Sequence, residues 1–457
     1  MASPRCPVNS TLDEILDAAV AAAFEYAAID GSQRAAFLEA IATALESDSE
    51  EIVAMADRET HLGETRLRGE LARTTGQLRL FADLVADGSW QGARIDTGPP
   101  DIRRLLIPLG PVAVFGASNF PFAFSVPGGD TASALAAGCP VICKAHPAHP
   151  ETSTLAAAAI ERARSEIGMP IGVFALLTDT SVEAGRQLVA DDRIEAVAFT
   201  GSLAAGKALY EISTRRNRPI PVYAEMGSTN PVFVLPGAAA QRGKQIATEL
   251  ADSITLSVGQ FCTNPGVVAA IEGTIGDALA EAMSDRPAAT MLTPDIADQY
   301  VRRLSSALTA GTTLVAGSVR AGQPALVRVD VTTFLNEPAL RHEVFGPSSV
   351  LVEAGSIPKL LEVAHSLEGQ LTATVYGTDD ELAASHDLVA ALTRRVGRVI
   401  ANGVPTGVAV NHAMQHGGPY PASTDARATS VGTAAIERFV RPVCYQNFPD
   451  SALPPLL

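Results

Sequence analysis

The segment from residue 111 to residue 225 opens on PVAVFGAS (111–118) and closes on PVYAE (221–225), and its rhythm decides the fold. Short apolar runs recur at 111–118, 140–145 (PVICKA), 172–178 (GVFALLT), 195–200 (EAVAFT) and 221–225. Between them lie the stretches 125–137, 151–167, 181–190 and 203–214, several rich in alanine. Strands of about five residues separated by helices of about 10–15 predict a parallel, doubly wound α/β sheet. Ligands of such sheets collect beyond the carboxyl ends of the strands. The turns after these runs are therefore where chemistry is to be sought.

Working outward, the segments 11–28, 32–45, 50–58 and 64–85 read as helices. The last of them sets Leu67, Leu71, Leu78, Leu80 and Phe81 near helical spacing. Residues 88–100 form a breaker-rich connection. A second alternation begins near Asn230, with strands expected at 231–235, 266–271, 350–353 and 372–376 and helices at 241–256, 357–367 and 381–393. Residues 436–445 (IERFVRPVCY) read as an edge strand leaving the body.

Composition bounds the function. The 457 residues are 47% hydrophobic and 18% charged, enough to bury a large core. Lys and Arg number 34 against 50 Asp and Glu, a net charge of -16. So acidic a chain is a poor partner for nucleic acid or anionic lipid. No run of about 18 apolar residues suggests a membrane span. The N-terminal residues show no apolar secretory region, so a cytoplasmic protein is expected. Five scattered cysteines, Cys6, Cys139, Cys143, Cys262 and Cys444, argue against a disulfide framework, and no metal-ligand spacing is present.

Five positions stand out, each with a plain alternative. Asn119, in the turn GASNFP (116–121), could donate its amide to a developing oxyanion or simply form the turn. Lys144 ends the second run, where it could reach a nucleotide or stay solvated. The sequence FTGSLAAG (199–206) sets Gly201, Ser202 and Gly206 at a helix start, fit for a phosphate or an ordinary cap. Glu225 ends the fifth run and could serve as a general base. Cys262 lies among polar, Gly and Pro residues in GQFCTNPG (259–266), a loop rather than a core setting. Cys139 and Cys143 fit the buried setting that free cysteines usually have. A nucleophile needs thiolate character and access, which the Cys262 context permits.

In this order, Asn119, Lys144, the Gly201/Gly206 turn, Glu225, Cys262 and the run EVFGP (343–347) resemble the aldehyde dehydrogenase superfamily from about residue 11 to the C-terminus. The segments 110–141, VGQFCTNPG (258–266), QHGGPYPAST (415–424) and 439–457 look like the bacterial branch that contains α-ketoglutaric semialdehyde (2,5-dioxovalerate) dehydrogenases. A fatty-aldehyde dehydrogenase belongs to the same branch and is the alternative. A member of the fold that has lost activity is a third reading.

The resemblance implies a doubly wound NAD(P)-binding domain (1–87 and 109–226), a second α/β catalytic domain (227–435) and a small oligomerisation arm (88–108 and 436–457). It implies Cys262 as nucleophile, Asn119 and the Cys262 N–H as oxyanion donors, and Glu225 as the base that activates water. Lys144 would bind the adenosine ribose, Gly201, Ser202 and Gly206 the pyrophosphate turn, and Glu343 the nicotinamide ribose with Phe345 beside it. A homodimer or homotetramer acting on a small aldehyde is implied, with no nucleic acid, membrane or metal partner. NAD-preferring relatives often carry a Glu three residues after the lysine. Here that residue is Pro147, which leans toward NADP over NAD, although the turn 180–183 lacks the Arg that NADP users often have. The sequence does not show which residues line the substrate mouth; Phe122, Phe124 and Phe261 could line either an apolar channel or one with a cation for a carboxylate.

Overall fold

A computed structural model describes residues 11–309 and 311–457. Cys6 and the first ten residues of the expected cofactor domain lie outside the described residues. The chain opens with four helices, α1 (Leu12–Ala28), α2 (Gly31–Ser47), α3 (Ser49–Thr60) and α4 (Glu64–Asp87). Thr11 caps α1 reciprocally with Glu14, and Asp30 caps α2 through the Gln33 N–H. Both satisfy amide groups that the first helical turn leaves unpaired. Two strands follow, β1 (Arg94–Asp96) and β2 (Ile102–Pro108).

The alternating segment then forms β3 (Val112–Phe115), α5 (Gly129–Ala137), β4 (Val141–Lys144), α6 (Pro150–Ile167), β5 (Phe174–Leu177), α7 (Val182–Ala190), β6 (Ala196–Thr200), α8 (Leu203–Thr214) and β7 (Val222–Glu225). The five strands are parallel, in the order β5-β4-β3-β6-β7. Val112, Val114, Val141 and Ala198 pack with Phe37, Ile41, Leu71 and Phe81 of the N-terminal helices. Ala113, Ile142 and Val197 face the other way, toward Leu16 of α1 and Leu188 of α7. Burial on both faces explains why the strands read as unbroken apolar runs.

The second alternation is β8 (Val232–Val234), α9 (Pro236–Thr255), β9 (Val267–Ile271), α10 (Gly276–Ser284), α11 (Pro294–Ala307), β10 (Thr312–Gly317), β11 (Ala325–Asp330), α12 (Val331–Asn336), β12 (Ser348–Ala354), α13 (Ile357–Ser366), β13 (Gln370–Tyr376), α14 (Asp379–Ala384), α15 (His386–Thr393) and β14 (Val396–Ala401). Its seven strands run β10-β11-β12-β9-β8-β13-β14, with only the β10–β11 pair antiparallel. A final strand, β15 (Val440–Gln446), pairs antiparallel with β2, which pairs with β1.

Three local expectations are corrected. The helix expected over 381–393 is two helices, separated at Ser385, whose backbone leaves the helical region. The strand expected over 436–445 begins only at Val440, because Thr433–Phe439 winds as a 3₁₀ turn that buries Ile436 and Phe439. The half-buried strands β10 and β14 lack the continuous apolar signature, and in the largely buried β11 Arg328 interrupts it, so the sequence pattern shows none of the three. Among the described residues, no helix is long and apolar enough to cross a membrane, and no cluster of three or more His, Cys, Asp or Glu could hold a metal ion.

Candidate active site

The two larger sheets meet the site with opposite strand ends. Asn119 follows β3, Lys144 ends β4, Gly201 follows β6 and Glu225 ends β7, so the five-stranded sheet offers carboxyl ends. The strand order reverses between β3 and β6, the switch point where doubly wound sheets bind ligands. The seven-stranded sheet offers amino ends, with Asn230 before β8, Cys262 before β9, Gly346 before β12 and Gln370 at the start of β13.

The cysteine loop is held by amides rather than by apolar packing. Asn230 Nδ2 donates to the carbonyls of Cys262 (2.8 Å) and Asn264 (2.9 Å). Asn264 Nδ2 donates to Gly346 O (3.1 Å). Gln370 Oε1 accepts from the N–H of Thr229 (2.6 Å) and from the Ser228 and Thr229 hydroxyls. The approach to Cys262 passes through three left-handed residues, Ser257, Val258 and Gly259. A β-branched residue in that region is uncommon and strained. A side chain at Gly259 would strike the Gly346 carbonyl, so only glycine allows the two loops to close on each other.

Cys262 is partly exposed, and its Sγ lies 3.7 Å from Nε2 of His416. The other ring nitrogen of His416, Nδ1, lies 2.9 Å from Glu225 Oε2, with both side chains almost fully buried. That contact is close, but it is not aligned as a hydrogen bond. Burial alone would depress the His416 pKa. The charge of Glu225 and the contacts with Cys262 outweigh it and hold the pKa near about 10. The protonated imidazole is therefore the resident form at neutral pH. Glu225 Oε1 is shielded from solvent and has no hydrogen-bond partner.

His416 was quoted in the sequence only as part of a stretch resembling the family, without a role. Its delivery depends on the 416–424 segment being pinned to the end of β7. Met226 N donates to Ala422 O (2.8 Å), Thr424 N to Ala224 O (3.1 Å) and Ala224 N to Thr424 Oγ1 (2.9 Å). The backbone of His416 is fixed by Thr429 Oγ1 (2.9 Å) and the Ser430 N–H (2.9 Å). A histidine directly before Gly-Gly-Pro was the available signal, because such a stretch lets backbone pass close to other backbone. Gly418 does so: a side chain there would strike the Gln370 carbonyl.

Asn119 is buried, and its Nδ2 donates to Gln260 O (2.9 Å), two residues before Cys262. An amide nitrogen carries two N–H groups, so one remains for another acceptor. The aromatic expectation needs one correction. Phe122 lies in the core with Phe81 and Leu135, not at the mouth. Phe120, by contrast, lies edge-on to both Phe124 and Phe261 at 5.3 Å.

Of the residues matched to a dinucleotide, Lys144, Gly201, Ser202 and Gly206 lie along the β4, β6 and α8 ends, and Glu343 lies beside Gly227, two residues beyond Glu225. Ser202 caps α8 by accepting from the Ala205 N–H (3.3 Å), leaving other N–H groups of the first turn free. A side chain at Gly201 would come within 2.6 Å of Phe199, and one at Gly206 within 2.7 Å of the Met226 sulfur. That close packing leaves the helix start bare, as a phosphate requires. Lys144 is largely buried, and Gly185 of α7 packs against its stem. Glu343 fits against Gly227, where any side chain would collide with its carboxylate. Burial raises the Glu343 pKa to about 7, against the pull of the Ser228 N–H and Arg303. These residues fit a dinucleotide. Among the neighbouring histidines, His146 stacks on His149, and burial lowers its pKa to about 3, so it adds no positive charge there.

The profile of the aldehyde dehydrogenase family matches residues 5–441. The chain is 49% identical over 445 residues to α-ketoglutaric semialdehyde dehydrogenase 2 of Azospirillum brasilense, covering 92% of this chain and 84% of that protein. It is 44% identical over 471 residues to α-ketoglutaric semialdehyde dehydrogenase of Acinetobacter baylyi, covering 98% and 89%. Among solved structures, glyceraldehyde-3-phosphate dehydrogenase of Methanocaldococcus jannaschii, complexed with NADP, superposes with TM-score 0.82 at 19% identity, covering 95% of this chain and 93% of that one. Betaine aldehyde dehydrogenase of Staphylococcus aureus, in complex with NAD+, superposes with TM-score 0.81 at 16% identity, covering 96% and 89%.

Proposed function

The chain belongs to the aldehyde dehydrogenase family, and we propose that it oxidises α-ketoglutaric semialdehyde to 2-oxoglutarate through a thioester on Cys262. One observation carries the mechanism: the Cys262 sulfur faces a histidine whose second nitrogen faces a buried glutamate. The substrate rests on the two relatives of that name, both aligned over most of their length.

The buried imidazolium of His416 stabilises a neighbouring thiolate by charge, and Glu225 keeps His416 protonated. The thiolate attacks the aldehyde carbon and forms a C–S bond. The oxyanion that develops is met by the spare Asn119 N–H and the backbone N–H of Cys262, donors that act most strongly once the charge has formed. NAD(P), held by Lys144, the Gly201–Gly206 turn and Glu343, would supply the acceptor for the hydride that this carbon must lose. Glu225 Oε1 then takes a proton from water as it attacks the thioester, and the Cys262 thiolate departs with release of the acid. Lys144, Gly201, Ser202, Gly206, Glu343 and Phe345 are the proposed cofactor contacts. NADP is preferred over NAD in this reading, because Pro147 puts no carboxylate beside Lys144 to repel a 2′-phosphate.

The same reading takes 1–87 and 109–226 as the cofactor domain, 227–435 as the catalytic domain, and 88–108 with 436–457 as the arm. The separate sheet of β1, β2 and β15 supports that arm, and the exposed strand β1 suits assembly into a homodimer or homotetramer. The unpaired cysteines suit a reducing cytoplasm.

The test is the rise in nicotinamide absorbance with the semialdehyde, NADP⁺ and NAD⁺ being run separately. Decanal is the comparison substrate and Cys262→Ala the control. Fast, Cys262-dependent reduction with the semialdehyde is expected. Preference for decanal would move the substrate to the fatty-aldehyde alternative.

A further inference from the structure

Helix α4 carries Arg66, Glu70 and Arg73 at spacings of four and three, which line up on one face. The three are committed differently. Glu70 Oε1 accepts the N–H groups of Phe122 (2.8 Å) and Ala123 (2.9 Å), holding the turn that carries Asn119. Arg66 donates to the Asn119 carbonyl (2.5 Å) and lies over the rings of Phe120 (5.0 Å) and Phe261 (4.8 Å). Arg73 lies over the ring of Phe124 (5.2 Å), and both its terminal nitrogens are shielded from solvent with no acceptor.

Among the described residues, Arg73 is the one arginine with both terminal nitrogens in that state. None of the ion pairs found there includes it, Glu70 included. Yet the chain holds 50 acidic residues that could have supplied a partner. A guanidinium stays charged at neutral pH, and burying one without an acceptor is costly. Such a group is stable where a ligand anion completes it. Its fork of parallel N–H groups matches a carboxylate in a bidentate pair.

The position is right for the substrate. The Phe124 ring beneath Arg73 packs 5.8 Å from the ring of His416, which touches the nucleophile. Glu70, three residues earlier on α4, acts on Arg73 by charge without forming an ion pair with it. Two other arginines stand nearby: Arg398 donates to the carbonyls of Pro405 (2.7 Å) and Gly407 (3.3 Å), and Arg66 to that of Asn119 (2.5 Å). We infer that Arg73 is the specificity-determining residue that binds the carboxylate of an oxo-acid aldehyde while the aldehyde end reaches Cys262. The inference rests on the substrate proposed above and gives it a residue. Phe124 beneath the guanidinium keeps the fork in place, and the net charge of -16 makes a dedicated local cation necessary for an anionic substrate.

The test compares the wild type, Arg73→Gln and Arg73→Lys on two five-carbon aldehydes, α-ketoglutaric semialdehyde and uncharged pentanal. Cofactor binding and melting temperature serve as checks on folding. The expected result is a rise in KM for the semialdehyde of at least tenfold in Arg73→Gln, with kcat little changed and pentanal kinetics unaltered. Arg73→Lys should recover part of the loss. Equal losses on both aldehydes, or no loss on either, would overturn the assignment while leaving the substrate in place. A wild type that prefers pentanal would overturn the substrate itself and the role of Arg73 with it.

Discussion

Cys143 and Cys262 share a side chain and little else. Cys143 lies in the middle of a five-stranded sheet, fully buried, with burial driving its thiol pKa far upward. Cys139, at the turn before β4, is also fully buried and is raised to about 11. Cys262 sits at the amino end of a different sheet, in a loop tied by amides, with a protonated histidine 3.7 Å away. Apolar burial makes a thiol inert, whereas a nearby fixed positive charge makes it a nucleophile. The same side chain on two backbones thus serves packing in one place and, in the proposed reaction, catalysis in the other.

That contrast is open to attack at several points. Replacing Cys262 with Ala should remove dehydrogenase activity by at least about 10⁴-fold, as expected for loss of a covalent nucleophile. Cys143→Ala should leave the rate intact and cost about 1–2 kcal/mol of stability from the cavity left behind, read by urea unfolding. If the two substitutions had similar effects on rate, the division would be wrong. Glu225→Gln should slow turnover by about 10²–10⁴-fold, with a burst of NAD(P)H ahead of a slow steady state, because hydrolysis loses its base. A uniform loss with no burst would place Glu225 before hydride transfer instead.

His416→Gln should act on the thiol more than on water. Alkylation of Cys262 by iodoacetamide at neutral pH is expected to slow by about 10–100-fold, the scale of one lost charge partner. Cys444, which is exposed and lies on the separate sheet of β1, β2 and β15, should react equally in both proteins. The pH dependence of stability has a definite sign. Because Glu225 and Cys262 raise the His416 pKa above its ordinary value, the protonated histidine contributes stability that is full below about pH 6.5 and is lost as pH rises through about 10. The urea midpoint of the wild type should fall across that window more than that of His416→Gln. Parallel curves would mean that His416 does not hold the proton.

Much of this molecule was legible in one dimension, and the exceptions have physical reasons. Strands buried on both faces announce themselves as apolar runs, so β3 to β7 were read almost to the residue. The half-buried β10 and β14, and β11 with Arg328 in its run, carry a weaker pattern. Asn119, Glu225 and Cys262 sit in short motifs whose neighbours define a turn, a strand end and a loop. His416 is 154 residues beyond Cys262, and the Gly-Gly-Pro after it marks a close backbone approach but not which side chain it meets. Arg73 lies on a helix read only for its apolar stripe. Its meaning comes from acceptors it does not have, which no sequence pattern displays.

Motif order alone was sufficient for the family and the reaction class, because those depend on residue types held at short range by turns and strand ends. Which groups surround that nucleophile was decided by tertiary structure. A histidine loop is pinned to β7 by three backbone-level hydrogen bonds, and an arginine is carried in by a helix near the start of the chain. Charge interactions depend on distance in space and on burial, and both are set only when the two sheets and the helices around them have closed on one another.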